Sequence, residues 1–121
     1  KAYSEASSID IILSGGNSID FMASYLYDSL LTAISKGAII RTISKKTELH
    51  SATKKRLENL SKNANFKIKF VDSEFDFCMA IVNKEEMNIS ISEKAVPSLW
   101  TNNYQIVSMS QLMFENLWNS N

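Results

Sequence analysis

Apolar positions along the chain repeat with two different periods, and their order predicts the secondary structure. The short apolar run Ile9–Leu13 ends before two glycines, which is typical of a buried strand. A helix should follow, with Asn17 as its cap and Gly37 at its end. Its apolar face recurs at helical spacing through Ile19, Met22, Ala23, Leu26, Leu30, Ala33 and Ile34. Ala38–Ile43 then predicts a second strand, and this order indicates parallel pairing through a right-handed crossover.

The middle of the chain predicts one more helix and three further strands. Thr47 is the expected cap of a basic helix with apolar residues on one side. The alternation of apolar residues with lysines at Phe66–Phe70 indicates a half-exposed strand. Phe75–Val82 and Met87–Ile91 are separated by a polar, turn-like stretch, which predicts a β-hairpin. A mixed β-sheet flanked by helices is therefore expected.

The stretch LWTNNY at residues 99–104 precedes a last predicted helix, Tyr104–Trp118, and allows two interpretations. In the first, Trp100 is an apolar plug at the sheet edge, and Asn102 or Asn103 caps the helix. In the second, Trp100 offers an aromatic face and the asparagines offer directional hydrogen bonds, which suits a polyol or a sugar. The first is favoured, because every helix start needs a cap and tryptophan is usually mostly buried.

The composition is that of one soluble domain. The chain has 121 residues, of which 45% are apolar and 21% charged. It contains no apolar run long enough to cross a bilayer and no visible secretory signal. A single cysteine, Cys78, favours a reducing, cytoplasmic setting. Because the chain begins with Lys1, we expect residues 1–121 to be a single α/β domain taken from a longer protein.

Charge is concentrated in the middle of the sequence although the net charge of the whole chain is zero. Residues 45–69 hold eight basic and two acidic residues, a net charge of +6. Such a segment is most often a solvated helix face. Direct binding of nucleic acid through this segment is the alternative, and it would depend steeply on salt.

The sequence offers little to a catalytic mechanism. The one histidine, His50, has no carboxylate at helical spacing except one two turns away, and Cys78 lies in an apolar strand. The acidic residues are scattered, so neither a metal nor another cofactor is expected. The turn from Ser14 to Asn17 lies between a strand and a helix, where backbone N–H groups can bind an anion. It lacks the glycine patterns of nucleotide-binding loops.

Several segments together resemble the C-terminal effector-sensing domain of archaeal TrmB-like transcriptional regulators. The resemblance covers nearly all of the chain, from "AISKGAIIRTIS" through "NFKIKFVD" and "FDFCMAIVNKEEMNISIS". Its most specific part is the "LWTN" turn followed by a helix that closes on "FENLW". The resemblance implies an α/β half-domain similar to phospholipase D.

Similarity to phospholipase D permits a test for activity. Those enzymes carry a His-x-Lys-x4-Asp motif, in which the histidine attacks phosphorus and the lysine binds phosphate. The matching positions here are Asp76, Cys78 and Asn83, so all three functional groups are lost. Because the mechanism needs an imidazole nucleophile, we do not expect an enzyme.

The resemblance implies a domain that senses a small-molecule effector, often a sugar, and acts in a homodimer. DNA would be bound only through an attached N-terminal winged helix-turn-helix domain. From this we predict a ligand site near the strand ends, with Arg41 at the end of a strand as a clamp for an anion or a hydroxyl group. The predicted site consists of Ser14, Asn17, Arg41, Ser44, Trp100 and Asn102. The alternative is a dimerisation or docking module whose pocket has been filled by Phe77, Cys78 and Met79.

Overall fold

The computed structural model of the chain describes residues 3–72, 76–90 and 98–121. Six strands form one mixed sheet in the order β3-β2-β1-β4-β5-β6. The strands are β1 Ser8–Leu13, β2 Ile39–Lys45, β3 Phe66–Val71, β4 Cys78–Val82, β5 Glu86–Ser90 and β6 Ser98–Thr101. The helices are α1 Asn17–Tyr25, α2 Tyr27–Ser35, α3 Ser51–Ser61 and α4 Tyr104–Asn119, and a 3₁₀ turn spans Tyr3–Glu5. The predicted α/β fold with a mixed sheet is therefore confirmed.

Pairing within the sheet follows the predicted order at its centre. β1 pairs with β2, and β2 with β3, in parallel, while the β1–β4, β4–β5 and β5–β6 pairs are antiparallel. The hairpin turn between β4 and β5 places Asn83 and Lys84 at positive φ. The Asn83 side-chain oxygen also accepts hydrogen bonds from the backbone N–H groups of Ser7 and Ser8, at 2.8 and 3.2 Å. One turn residue therefore joins the hairpin to the start of β1.

Two apolar clusters lie on opposite faces of the sheet. On one face, α1, α2 and α3 cover a cluster that includes the fully buried Ile9, Leu30 and Leu60. On the other face, α4 is the one helix of the described residues that covers a cluster centred on Ile12 and Phe114. The two periods in the sequence account for these clusters. Successive residues of a strand point to opposite faces of the sheet, and each helix buries only one side.

Several local predictions were wrong in detail. The first helix is interrupted at Leu26, which separates α1 from α2. Asn17 does not cap α1 but is its first helical residue, after Gly16 with φ of 53°. His50, not Thr47, precedes α3, and neither donates or accepts a side-chain cap bond there. The Gly37 stop is confirmed, with φ of 95° and the backbone bonds that close a helix end.

The LWTNNY stretch contains a strand that the sequence did not predict. Residues 98–101 form β6 and pair with β5, so Trp100 lies in a strand opposite Asn88. The predictions that fall on residues 73–75 and 91–97, including Pro97, lie outside the described residues. Asn103 caps α4, its side-chain oxygen accepting the Ile106 N–H at 3.1 Å, which confirms that one of the two asparagines has this role.

Candidate functional site

A pocket of about 300 Å³ opens on the face of the sheet that α1 covers. One wall comes from α1 and the chain around it, through Ser18, Phe21, Met22, Leu26 and Tyr3. The other wall is made by β1, β4 and β5, chiefly through Ile11, Leu13, Cys78, Ala80, Asn88 and Ser90. Its described lining residues are uncharged and mostly apolar, with a few polar groups, as is common in small-molecule sites.

The pocket is formed where small side chains of β4 lie next to α1. Ile11, Ala80 and Asn88 are successive partners across β1, β4 and β5, so their side chains share one face. Ala80 and its neighbour Cys78 are too small to fill the space beneath α1. Protein interiors are close-packed, so short side chains beneath a helix leave a space that longer ones would fill.

Polar groups of the pocket lie at two ends. At the β5 end, the Asn88 side chain is hydrogen-bonded to the Tyr3 hydroxyl. Burial raises the pKa of Tyr3 above its ordinary value of 10.0, the bond to Asn88 opposes this, and the Glu86 carboxylate adds to the rise. The hydroxyl is therefore neutral at physiological pH. At the α1 end, the Ser18 hydroxyl donates to the Gly15 carbonyl at 2.7 Å.

Two of the six predicted site residues lie beside this pocket. Ser14 is buried, and its hydroxyl lies 3.4 Å from both the Ser18 hydroxyl and the Cys78 sulfur, two groups that line the pocket. Trp100 is the register partner of Asn88 and shares its sheet face. It is 55% exposed and donates its indole N–H to Glu86 at 3.1 Å. The interpretation of Trp100 as a buried plug was therefore wrong.

The remaining four predicted residues are not brought together. Asn17 is exposed at the start of α1, and Asn102 is exposed in the loop before α4. Ser44 is fully buried in β2, and its hydroxyl donates to the Lys45 carbonyl. Arg41 is the third residue of β2 rather than its last, so the prediction that it lies at a strand end was wrong.

Arg41 belongs to a charged network beneath α4, on the opposite face of the sheet from the pocket. Its guanidinium donates to both carboxylate oxygens of Asp10, at 2.9 and 3.1 Å, and to both of Glu115, at 3.0 and 2.6 Å. Gln111 donates to the same two carboxylates at 2.8 and 3.0 Å. The Arg41 guanidinium also lies over the rings of Phe114 and Trp118. Each of its three nitrogens donates to at least one of these carboxylates, so Arg41 is not a free clamp for a ligand.

The charge states in this network follow from its geometry. Hydrogen bonds from Arg41 hold the pKa of the Glu115 carboxyl below its ordinary value of 4.5, against the effect of burial. The carboxylates of Glu115 and Asp10 in turn raise the pKa of Arg41. Both partners are therefore charged at neutral pH, and the network joins β1 and β2 to α4.

The other chemical candidates are dispersed. His50 Nε2 lies 3.5 Å from Asp20 at the surface, and Asp20 also accepts the Thr53 hydroxyl at 2.7 Å. No group of three His, Cys, Asp or Glu side chains within residues 3–72, 76–90 and 98–121 could hold a metal ion. Among the helices of these same ranges, none is long and apolar enough to cross a membrane.

Basic residues of the 45–69 segment are divided between contacts and solvent. Lys46 forms an ion pair with Asp72 at 3.3 Å, and Lys69 donates to the carbonyls of Trp118 and Asn121. Three lysines of α3 and its end, Lys54, Lys55 and Lys62, are exposed. Nucleic-acid binding through this segment stays a prediction.

Sequence reasoning missed most of the pocket. Asn88 and Ser90 alternate with Met87 and Ile89, a pattern that predicted a hairpin strand and no site. In the structure Ser90 is only 4% exposed, and both Asn88 and Ser90 line the pocket. The available signal was the run of small and polar residues that β4 and β5 place on one face.

Comparison with known proteins identifies the fold. No protein-family model matches the chain, and no curated protein matches its sequence. The chain is similar in structure to TrmBL2, described as an archaeal chromatin protein with a novel mode of DNA binding. The TM-score is 0.71 at 20% identity, over 98% of this chain and 46% of that one. It is also similar to NucT from Helicobacter pylori, with a TM-score of 0.73 at 14% identity, over 98% and 84% of the two chains.

These two similarities show that the chain shares its fold with a TrmB-like protein. Both identities are low, so they establish the fold alone. The chain spans about half the length of TrmBL2.

Proposed function

We propose that this chain is a non-catalytic, small-molecule-sensing domain of a TrmB-like transcriptional regulator. The observation that carries the proposal is the open pocket between α1 and the β4–β5 hairpin. A domain that only docked onto a partner would not need an internal space of about 300 Å³. The shared fold with TrmBL2 supports the attachment to a DNA-binding regulator.

The position of Cys78 supports a binding role without catalysis. The resemblance to phospholipase D matches Cys78 with the phosphate-binding lysine of those enzymes, and Cys78 lines the pocket. A cysteine side chain has no positive charge to balance a phosphate, and exposed Asp76 replaces the histidine nucleophile. Of the three positions matched to the phospholipase D motif, Cys78 lines the pocket, and none of the three carries the residue of those enzymes.

The alternative of a collapsed pocket is less well supported. It required Phe77, Cys78 and Met79 to fill the former catalytic space. Met79 is buried in the cluster under α4, and Phe77 packs against that same cluster, on the opposite face of the sheet. Of the three, only Cys78 has a side chain on the pocket face, and it leaves the space open.

The sensing role predicts ligand binding that is lost when the pocket is filled. A thermal-shift panel should include sugars, polyols, nucleotides, phosphorylated metabolites and neutral ring compounds. A ligand that binds only the folded chain stabilises it by RT ln(1 + [L]/Kd), about 2.7 kcal/mol at a hundredfold excess over Kd. Ala80→Leu places an isobutyl group in the pocket and should abolish this shift for every ligand found.

The matched control is Ala52→Leu, the same substitution on the exposed side of α3. Circular dichroism and the melting temperature without ligand establish that both variants fold. The proposal would be contradicted by a panel without stabilising ligands, or by ligands that bind Ala80→Leu as tightly as the unmodified chain.

A second candidate function, homodimerisation, is favoured by the outer face of α4. Glu115 is the only charged residue of this 16-residue helix, and it is turned inward to Arg41. The outer side exposes large apolar residues: Tyr104, Ile106, Met109, Leu112 and Met113. Depletion of charge together with Met and aromatic residues is typical of protein interfaces. A neutral face can pair with its own copy without charge repulsion.

We predict that two glutamates on this face abolish the dimer. Met109→Glu with Leu112→Glu would place like charges on both copies of a twofold interface. Light scattering after gel filtration should give a dimer mass for the unmodified chain and a monomer mass for the variant. Ala52→Glu on α3 is the control and should leave the mass unchanged. A monomer at all concentrations for the unmodified chain would contradict dimerisation through α4.

A further inference from the structure

The lining of the pocket specifies the kind of molecule that fits it, and this inference rests on the sensing role proposed above. We infer that the pocket binds an uncharged, largely apolar molecule about the size of one ring, with a single hydrogen-bonding group. The inference excludes the sugar that the family resemblance implied.

Charge is the first argument. The described lining residues carry no formal charge. Arg41, which the sequence suggested as an anion clamp, lies on the other face of the sheet with its donors held by Asp10 and Glu115. Strand β5, which contributes to the pocket lining, also carries Glu86, whose negative charge would repel an anion. Burying a charged group without a partner is strongly unfavourable, so phosphates and carboxylates are disfavoured.

Apolar surface is the second argument. Ile11, Leu13, Met22 and Leu26 present hydrocarbon to the pocket, and Phe21 contributes an aromatic ring that is 39% exposed. An exposed apolar ring beside a cavity favours a ligand that covers it. The volume of about 300 Å³ is at the lower end for ligand pockets, which span about 300–1,000 Å³. An apolar cavity of about 150 Å³ already binds benzene, so this volume has room for one ring with its substituents.

The third argument is the small number of available polar groups. At the α1 end, the Ser18 hydroxyl already donates to the Gly15 carbonyl, and the Ser14 hydroxyl lies against Ser18 and Cys78. At the β5 end, the neutral Tyr3 hydroxyl and the Asn88 amide are adjacent. A sugar would bury several hydroxyl groups against hydrocarbon, while one hydroxyl or carbonyl can be satisfied at Tyr3 and Asn88.

Paired probes test the inference by changing one property at a time. Benzyl alcohol and benzoate share a ring and differ in charge, and cyclohexanol and glucose share a ring size and differ in polarity. Titration of the chain, followed by NMR of its backbone amides, should show saturable shifts at Met22, Ala80 and Asn88 for the two neutral alcohols. Each should bind at least about tenfold more tightly than its charged or polyhydroxylated counterpart.

Tyr3→Phe tests the polar end of the pocket. The substitution should weaken the binding of benzyl alcohol by roughly three- to tenfold, the range for one lost hydrogen bond, and leave the binding of toluene unchanged. Tyr104→Phe on the outer face of α4, where the side chain is 81% exposed, is the matched control and should change neither.

The outcomes separate the two proposals. Tighter binding of glucose or benzoate at the same amides would overturn the ligand class while the sensing role stands. Shifts confined to amides outside the pocket, or no saturable shifts for any probe at millimolar concentration, would overturn both the ligand class and the pocket as a sensing site.

Discussion

We expect Arg41→Ala to lower the free energy of unfolding by roughly 3–5 kcal/mol, the range for breaking a buried ion pair from one side. Asp10 has a side chain only 3% exposed, and it would lose its cationic partner. Glu115 would lose the same partner, so the contact between α4 and the centre of the sheet would be weakened. Urea denaturation at neutral pH measures the change.

Arg56→Ala is the matched control for this substitution. Arg56 is exposed on α3, and its guanidinium lies 5.6 Å from the centre of the Tyr27 ring. Exposed cation–π contacts contribute about 0.5–1 kcal/mol, so the control should change stability much less. Equal effects of the two substitutions would contradict the structural role of the Arg41 network. An Arg41→Ala variant that is fully stable and defective only in ligand binding would support the site that the sequence suggested.

The effect of Arg41→Ala should also depend on pH. The pKa of Glu115 is lower in the folded chain than its ordinary value of 4.5. The unfolded chain therefore takes up its proton first as the pH falls. The stability that the Arg41–Glu115 pair contributes is present above about pH 4.5 and is lost as the pH falls through the folded-state value. The difference between Arg41→Ala and the unmodified chain should shrink in acid.

The second large effect is expected for Phe114→Ala, which should cost about 3–5 kcal/mol. Phe114 is fully buried, its ring stacks on Trp118 with centroids 6.0 Å apart, and Arg41 covers it. Within the described residues, α4 is the one helix on this face of the sheet, so no second helix of that part of the chain could move in to fill the cavity. Urea denaturation with comparison of m-values gives the change in stability.

Phe70→Ala is the matched control for Phe114→Ala. Phe70 lies in the edge strand β3 and is 36% exposed, so truncation should cost only about 1–2 kcal/mol. If Phe114→Ala lowers the free energy of unfolding no more than Phe70→Ala does, the packing of α4 on the sheet contributes little to the stability of the folded chain.

The central strands were predictable because their signals are local. Ile9–Leu13 and Ala38–Ile43 are apolar runs bounded by glycines or polar residues, and the structure pairs β1 with β2 in parallel as expected. The hairpin of β4 and β5 was equally local, since its turn is short and polar. Asn103 caps α4 through a bond that spans only three residues. Each of these depends on residues close together in the sequence.

The edge strand and the pocket were not predictable for the opposite reason. Trp100 looks like a plug because it is large and apolar, yet it is 55% exposed in β6, and its neighbour Leu99 is 70% exposed. Their structure is decided by hydrogen bonding to β5, which no local pattern reveals. The pocket depends on where α1 stops covering the sheet, and on the small side chains of Cys78 and Ala80 at that place.

The sequence by itself determined the α/β class, the order of the elements along the chain and the absence of the phospholipase D motif, because periodicity and residue identity are properties of the chain alone. Only the tertiary structure decided what the residues contact. Arg41 is thirty-one residues from Asp10 and seventy-four from Glu115 in the sequence. The folded structure brings it within hydrogen-bonding distance of both. A charged side chain pairs with the opposite charges that lie nearest to it. Which charges lie nearest depends on how α4 packs against the sheet.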